Sequence, residues 1–263
     1  MKKSFSLAIM SAITLSAAMA VLIGCDEEPK AAVELTAAAA PECKAAQSGT
    51  SPVRKRKGIP KEELRIRLPK ALSCAPTPTP INEPNIAPLR PRGQKRPAIM
   101  LPKGAFNLAI GRSVASNESL PVIGDLEMVT DGVKSGADGS NVDIGFGKKW
   151  VRIDLAARAE IYGVSLWHYH SKARAYRDVI VEVADDEDFT QNVRIVFNSD
   201  HDNSYGKGIG EDMGYIETIE GKFIYCPGNT KGRYVRLHSQ GNSDNDQNHY
   251  IEVEVYGRPV RER

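Results

Sequence analysis

The chain has 263 residues with 35 Lys/Arg against 33 Asp/Glu, a net charge of +2, and a length that suits one large or two small domains of ~100–200 residues. The charge is unevenly spread: residues 42–103 carry 14 basic against 4 acidic side chains, and residues 104–263 carry 18 against 25. The basic stretch is poor in aromatic side chains that stack on bases and the remainder is acidic, which argues against a nucleic-acid partner.

At the N-terminus, MKKSFSLAIMSAITLSAAMAVLIGC sets two lysines before an uncharged apolar run that ends in small residues, the layout of an export signal. The run over 6–24 also has the length of a membrane span, which needs ~17–25 apolar residues. Leu22-Ile23-Gly24-Cys25 decides between the two, because it resembles a bacterial lipobox. That resemblance implies a lipoprotein signal peptide over residues 1–24 and lipid on Cys25, with two or three acyl chains forming a stable anchor where one is marginal. The expected location is the bacterial cell envelope, on a membrane but not across it; an ordinary cleaved signal or an uncleaved anchor helix is the alternative.

Residues 25–103 read as a Pro/basic-rich linker, mostly disordered, since 12 of the 16 prolines fall within 41–103. Each proline ring fixes φ and removes an N–H, favouring extended polyproline II geometry at ~3.1 Å per residue. Export permits oxidation of Cys43, Cys74 and Cys226. A bond between Cys43 and Cys74 would close a loop worth ~3 kcal/mol, but spacing alone leaves the pairing open.

From residue 104 to 263 the pattern changes to period two. Val151, Ile153 and Leu155 alternate with Arg152 and Asp154; Val179, Val181 and Val183 alternate with Ile180 and Glu182; Ile251, Val253 and Val255 alternate with Glu252 and Glu254. These predict half-buried antiparallel strands, separated by turn clusters such as Asp131-Gly132, Asp185 to Asp188, Pro227-Gly228-Asn229 and Gly241 to Asp244. No segment here shows a 3.6-residue apolar stripe, so the expected fold class is an all-β sandwich.

The same segments carry motifs in a family's order. NLAIGR at 107–112, the Asp131-Gly132 turn, WVRIDL at 150–155, RDVIVEVADD at 177–186, GRYVRL at 232–237 and EVEVYG at 252–257 resemble successive strands of discoidin, or coagulation factor type C, domains. The resemblance implies an antiparallel jelly-roll of the galactose-binding-like type. It also implies a non-catalytic domain whose relatives bind glycans, phospholipid headgroups or proteins through loops at one end. Ala156 departs from the pattern, standing where a glycine is common, and the segments 198–208 and 243–250 are also unlike it.

The resemblance further implies a structural Ca²⁺, with side-chain ligands from Asp131 and Glu252 and backbone oxygens from Met128, Val133 and Gly136; such hard-oxygen ligation suits calcium. Gly136 stands in place of the family's threonine ligand. The alternative is that Asp131 caps its own turn and Glu252 is an outward strand residue.

Strand parity places His168 and His170 on the face of Val164 and Leu166, from which they are expected to emerge at the mouth of the loop end. With Arg174, Arg177, and Asp200, His201, Asp202, Asn248 and His249 of the long loops, they supply the directed hydrogen bonds a sugar site needs. The alternatives are structural histidines bonded to carboxylates of the 200–203 or 244–248 loops, or a zinc site of His168 and His170 with His201 or His249, which has no recognised spacing. No H-E-x-x-H, G-x-S-x-G or P-loop is present, so no enzyme is expected. The expected function is a membrane-anchored carbohydrate-binding module for a glycan or envelope polysaccharide. A protein-interaction or envelope-structural module using the same loops is the alternative.

Overall fold

The computed structural model describes residues 59–70, 81–91 and 93–260, all within a compact unit spanning 56–263. Residues 1–24, expected to be a signal peptide, and Cys25, Cys43 and Cys74 lie outside the described residues, among which no helix is long and apolar enough to cross a membrane.

In chain order the elements are β1 (Lys61–Leu64), β2 (Ile99–Pro102), β3 (Phe106–Asn107), β4 (Val114–Ser116), a 3₁₀ turn (Leu126–Thr130), β5 (Val142–Phe146), β6 (Lys149–Trp167), β7 (Ile180–Ala184), β8 (Arg194–Asn198), β9 (Lys222–Tyr225), β10 (Lys231–Ser239), β11 (Gln247–Tyr250) and β12 (Glu252–Pro259). Eight strands share one antiparallel sheet, with β3-β12-β6-β10-β7-β8 in sequence and β4 and β9 also paired to β6; β1 pairs with β2, and β5 with β11. The expected all-β antiparallel sandwich is what the chain forms.

The 19-residue β6 makes two layers out of this sheet. Its ladder with β10 jumps from Asp154, opposite Tyr234, to Ala159, opposite Gly232. Between them Ala156 adopts the left-handed region at φ 67, and Asp154 Oδ1 accepts a hydrogen bond from its N–H (2.8 Å). The first half of β6 lies beside β10 and β4, the second beside β12 and β9. Val151, Ile153 and Leu155 from the first half meet Ile161, Val164 and Leu166 from the second in one buried cluster. Each fully buried side chain of this size contributes ~1.5–3 kcal/mol.

Both ends of β6 consequently reach the same end of the sandwich. Ser239, opposite Lys149, hydrogen-bonds Tyr250 through the two hydroxyls (3.0 Å), and the next residue, Ile251, donates its N–H to Trp167 O (2.8 Å). The connections that follow Trp167, Asn198 and Ser239 gather there.

Two features differ from the sequence reading. β7 and β12 are covered on both faces rather than half-buried. Glu182 lies inside an ion cluster with Arg236 (2.9 Å), Lys207 (3.0 Å) and His238 (2.9 Å), and Glu254 pairs with Lys134 (2.6 Å). The second difference concerns the boundary at 103/104. Described parts of the 25–103 span belong to the folded unit: Ile99 and Leu101 of β2 pack on Tyr256, with Leu64, Tyr162 and Phe223 around them. Residues 83–90 form a strap. Glu83 accepts from Arg177 Nη2 (2.7 Å), Ala87 N–H donates to Gly214 O (2.8 Å) and Gly214 N–H to Asn85 O (3.0 Å), and Arg90 pairs with Glu220. A proline-rich composition, which predicts extended backbone, does not by itself predict that the extended chain is free. Cys226 is a free thiol that burial pushes up to about 12, leaving it unreactive near neutrality.

Candidate functional site

The structure distributes the expected site residues over four environments. His168, Asp200 and Asn248 are in the interior, not at the mouth. β6 ends at Trp167, and the chain then turns inward, so the parity that carries Val164 and Leu166 into the core carries His168 there too. Its Nδ1 meets Glu217 Oε1 at 2.6 Å, and its ring stacks on Tyr176 with centroids 4.0 Å apart. The structural alternative therefore describes His168, with a carboxylate from neither anticipated loop. Asp200 accepts from the N–H groups of Ser204 (3.0 Å) and Tyr205 (2.9 Å). Asn248 is fully engaged: its amide donates to Gly145 O and Gly147 O (2.8 and 2.9 Å), and its oxygen accepts from Ser239 Oγ and Gly241 N–H (2.7 Å each). These two hold loops in place.

Arg174 and His249 come together in a cleft of about 410 Å³ at the loop end, with Tyr169, Lys172, Asn141 and Asp143 among its walls. Arg174 is 2% exposed. It pairs with Asp244 (3.1 Å) and lies over the Tyr169 ring (4.9 Å), but its Nε is buried without a partner. His249 Nδ1 shares a hydrogen bond with Tyr176 OH (2.9 Å), and its Nε2 is 3.7 Å from Asp143 Oδ2. Burial, with Arg174 and His168 close by, pushes His249 down to about 4, so the ring is neutral at pH 7. Burial also raises Asp143, opposed by the Gly145 N–H. A buried guanidinium with an unused donor, a neutral imidazole and an aromatic wall are suited to an uncharged ligand rich in hydroxyls.

Arg177, His201 and Asp202 line a second cleft, of about 440 Å³, one wall of which is the strap. The four site histidines do not converge. Among the described residues, the set of three His, Cys, Asp or Glu side chains whose ligand atoms lie within 4.8 Å of one another is Asp178, Asp200 and Asp202. Sequence reasoning missed Tyr169, Asp143, Asp178 and Glu83. Tyr169 sits between the two histidines and was open to discovery by its position; Asp143 within β5 and Glu83 within the proline-rich span carry no local signal.

Glu252 and its surroundings fit the implied calcium. Glu252 is fully buried; its Oε2 accepts from Gly132 N–H (2.9 Å), whereas its Oε1 is buried and has no partner. Desolvation pushes this carboxyl up to about 8, against the Gly132 N–H. A cation at Oε1 would remove the cost of an unpaired buried carboxylate. Asp131 is exposed and bonds the Val133 N–H through Oδ1 (2.7 Å), which leaves Oδ2 available. His170 closes the other side of this loop: its Nε2 meets Lys134 O (3.1 Å). A Cβ on Gly136 would stand 2.7 Å from His170 Cε1, so a threonine there would collide with the imidazole.

No family model matches the sequence, and no curated relative matches it. Among solved structures, the chain is similar to chitosan-binding module 1 of a chitosanase/glucanase from Paenibacillus sp. IK-5, at 19% identity and TM-score 0.41 over 58% of this chain and 99% of that one. It is also similar to the CBM32 of AlyQ in complex with 4,5-unsaturated mannuronic acid, at 17% identity and TM-score 0.39 over 54% and 92%. The third is an f-lectin (fucolectin) from Morone saxatilis (striped bass) serum, at 17% identity and TM-score 0.41 over 60% and 49%.

Proposed function

We propose that the chain is a non-catalytic carbohydrate-binding module, anchored in the bacterial envelope through lipid on Cys25, whose sugar site is the cleft of Arg174 and His249. The observation that carries this reading is the Arg174 guanidinium, buried in the wall of an open cleft with its Nε unused. A sugar hydroxyl accepting from this guanidinium would gain a charge-assisted hydrogen bond, while a ring C–H face packs on Tyr169. The test is a glycan-array screen of the full chain, with Tyr169→Ala and Lys172→Ala as controls. Saturable binding that both substitutions weaken at least about tenfold, ~1.4 kcal/mol, is expected. A blank array with well-folded protein rejects the reading.

Leu120, Val122 and Phe146, exposed at 81%, 65% and 65%, favour the second reading, a protein partner gripped by the same loop end. We also propose that Ca²⁺ binds between Glu252 and the 131–136 loop, tying β12 to that loop. Added Ca²⁺ should raise Tm, as any ligand selective for the folded state does, and Glu252→Gln should abolish the rise. An unchanged Tm at millimolar Ca²⁺ argues that Glu252 is simply held protonated.

A further inference from the structure

The cleft beside the strap has a chemistry of its own. Its walls come from the strap at Glu83 to Ile86, from Tyr176 to Asp178 and from Ser199, His201, Asp202 and Ser204 of the next loop, with Gly214 and Gln240, so segments far apart in sequence build one cleft of about 440 Å³. Its one arginine is already committed: Arg177 donates to Glu83 through Nε and Nη2 (2.9 and 2.7 Å) and to Asp246 through Nη1 (2.6 Å). Among the described residues, none of Asp178, Asp200 and Asp202 forms an ion pair, although their carboxylate oxygens lie within 4.8 Å of one another. Burial and the two neighbouring aspartates raise Asp178, against a hydrogen bond from Ser204. Two further wall atoms, Gln240 Oε1 and His201 Nε2, are buried without any partner. The unmatched groups here thus include carboxylates without a counter-ion and the amide oxygen of Gln240, whereas the unmatched group of the Arg174 cleft is a donor.

We propose that this cleft is a second binding site, separate from the sugar cleft, and that it takes the protonated amino group of a polar ligand. An ammonium group offers three donors and a unit positive charge; against the carboxylates of Asp178 and Asp202 in the wall it gains both terms, with the buried charge of Asp200 behind them, and the amide oxygen of Gln240 supplies one more acceptor. The cleft is much larger than a bare ion requires and has acceptors outside the three-carboxylate cluster, which favours a molecular cation. The site exists because the chain before the sandwich folds back over the loop end: Glu83 both closes the wall and neutralises the arginine that would otherwise repel the ligand.

The test is an NMR titration of the full chain with glucosamine, with N-acetylglucosamine as the uncharged partner, and with Ca²⁺ and Mg²⁺ separately. Glucosamine should shift the amides of Asp178, Asp202 and Gln240, and N-acetylglucosamine should not. Asp178→Asn and Asp202→Asn together should weaken glucosamine at least about tenfold, ~1.4 kcal/mol. Both substitutions keep the backbone: asparagine accepts the left-handed conformation of Asp178 (φ 51) and retains the acceptor for Ser204 N–H at 202. Shifts at Asp178, Asp202 and Gln240 are read separately from any at Tyr169 and Lys172 in the other cleft, so failure of the sugar-site reading does not touch this one. Equal shifts by the two sugars, no shift with either, or indifference to the double substitution overturns the proposal. Displacement of glucosamine by Ca²⁺ or Mg²⁺ bound among Asp178, Asp200 and Asp202 overturns it in favour of a metal site.

Discussion

Ala156 shows how one residue can carry a cost that its neighbours make necessary. The turn between the halves of β6 needs a positive φ, and a Cβ there costs ~1–2 kcal/mol. The side chain is exposed, so its methyl group offers little packing in return. Ala156→Gly should therefore stabilise the protein by about 1 kcal/mol, some 2–4 °C in Tm for a domain of this size, measured by thermal unfolding; an unchanged or lowered Tm shows that the added freedom of the unfolded chain cancels the relief. Residue-scale reading grouped Arg174 with His249, and the fold brings both to one cleft. His168 lies in the core rather than at the mouth, because alternation tells which face a residue shares, not whether that face is still covered beyond the strand end.

Among elements, the β1–β2 pair and the strap change what the folded unit is. Composition assigned both to a linker, since prolines and basic residues are poor core formers. The few apolar residues there, Leu64, Ile99 and Leu101, nevertheless close over Tyr256 and Phe223, and a cover of three or four residues lies below what a compositional window detects. A protein that begins at residue 104 should fold but melt at least several degrees lower than the full chain, and should bind more of an apolar dye. Equal melting temperatures would mean that this cover adds no net stability. The strands of the sandwich were legible because period-two patterning survives even where, as in β7 and β12, both faces are covered; the partners of Glu182 and Glu254 were not, because they come from distant segments.

At the scale of the whole molecule, buried charge sets the response to pH. Burial alone would raise Glu182, but the bonds from His238, Lys207 and Arg236 outweigh it and hold the carboxyl down to about 2. Its contribution is complete above the ordinary value of 4.5 and is lost as pH falls towards 2. His249, held down to about 4 amid Arg174, Asp143, Asp244 and Tyr176, contributes fully above 6.5 and loses its contribution between 6.5 and 4. Both act in the same direction, but Glu252, pushed up to about 8, gains stability as pH falls from 8 to 4.5 and opposes His249 over that window. Tm should therefore fall steeply only below about 4.5, and Glu182→Gln should flatten that fall; a Tm constant between 4.5 and 2 would show that Glu182 is not held by its cluster as described.

The fold-over of β6 bears on how the molecule comes apart. One covalent strand forms the middle of both layers, so neither layer has a complete set of partners without the other, and half-unfolded states lose both at once. Opening should be all-or-none, and because β6 must find β10 and β12 across long stretches of chain, assembly should be slow for a protein of this size. A nick in the exposed turn at 156–158 would leave two fragments, each unstructured alone and each able to restore the other.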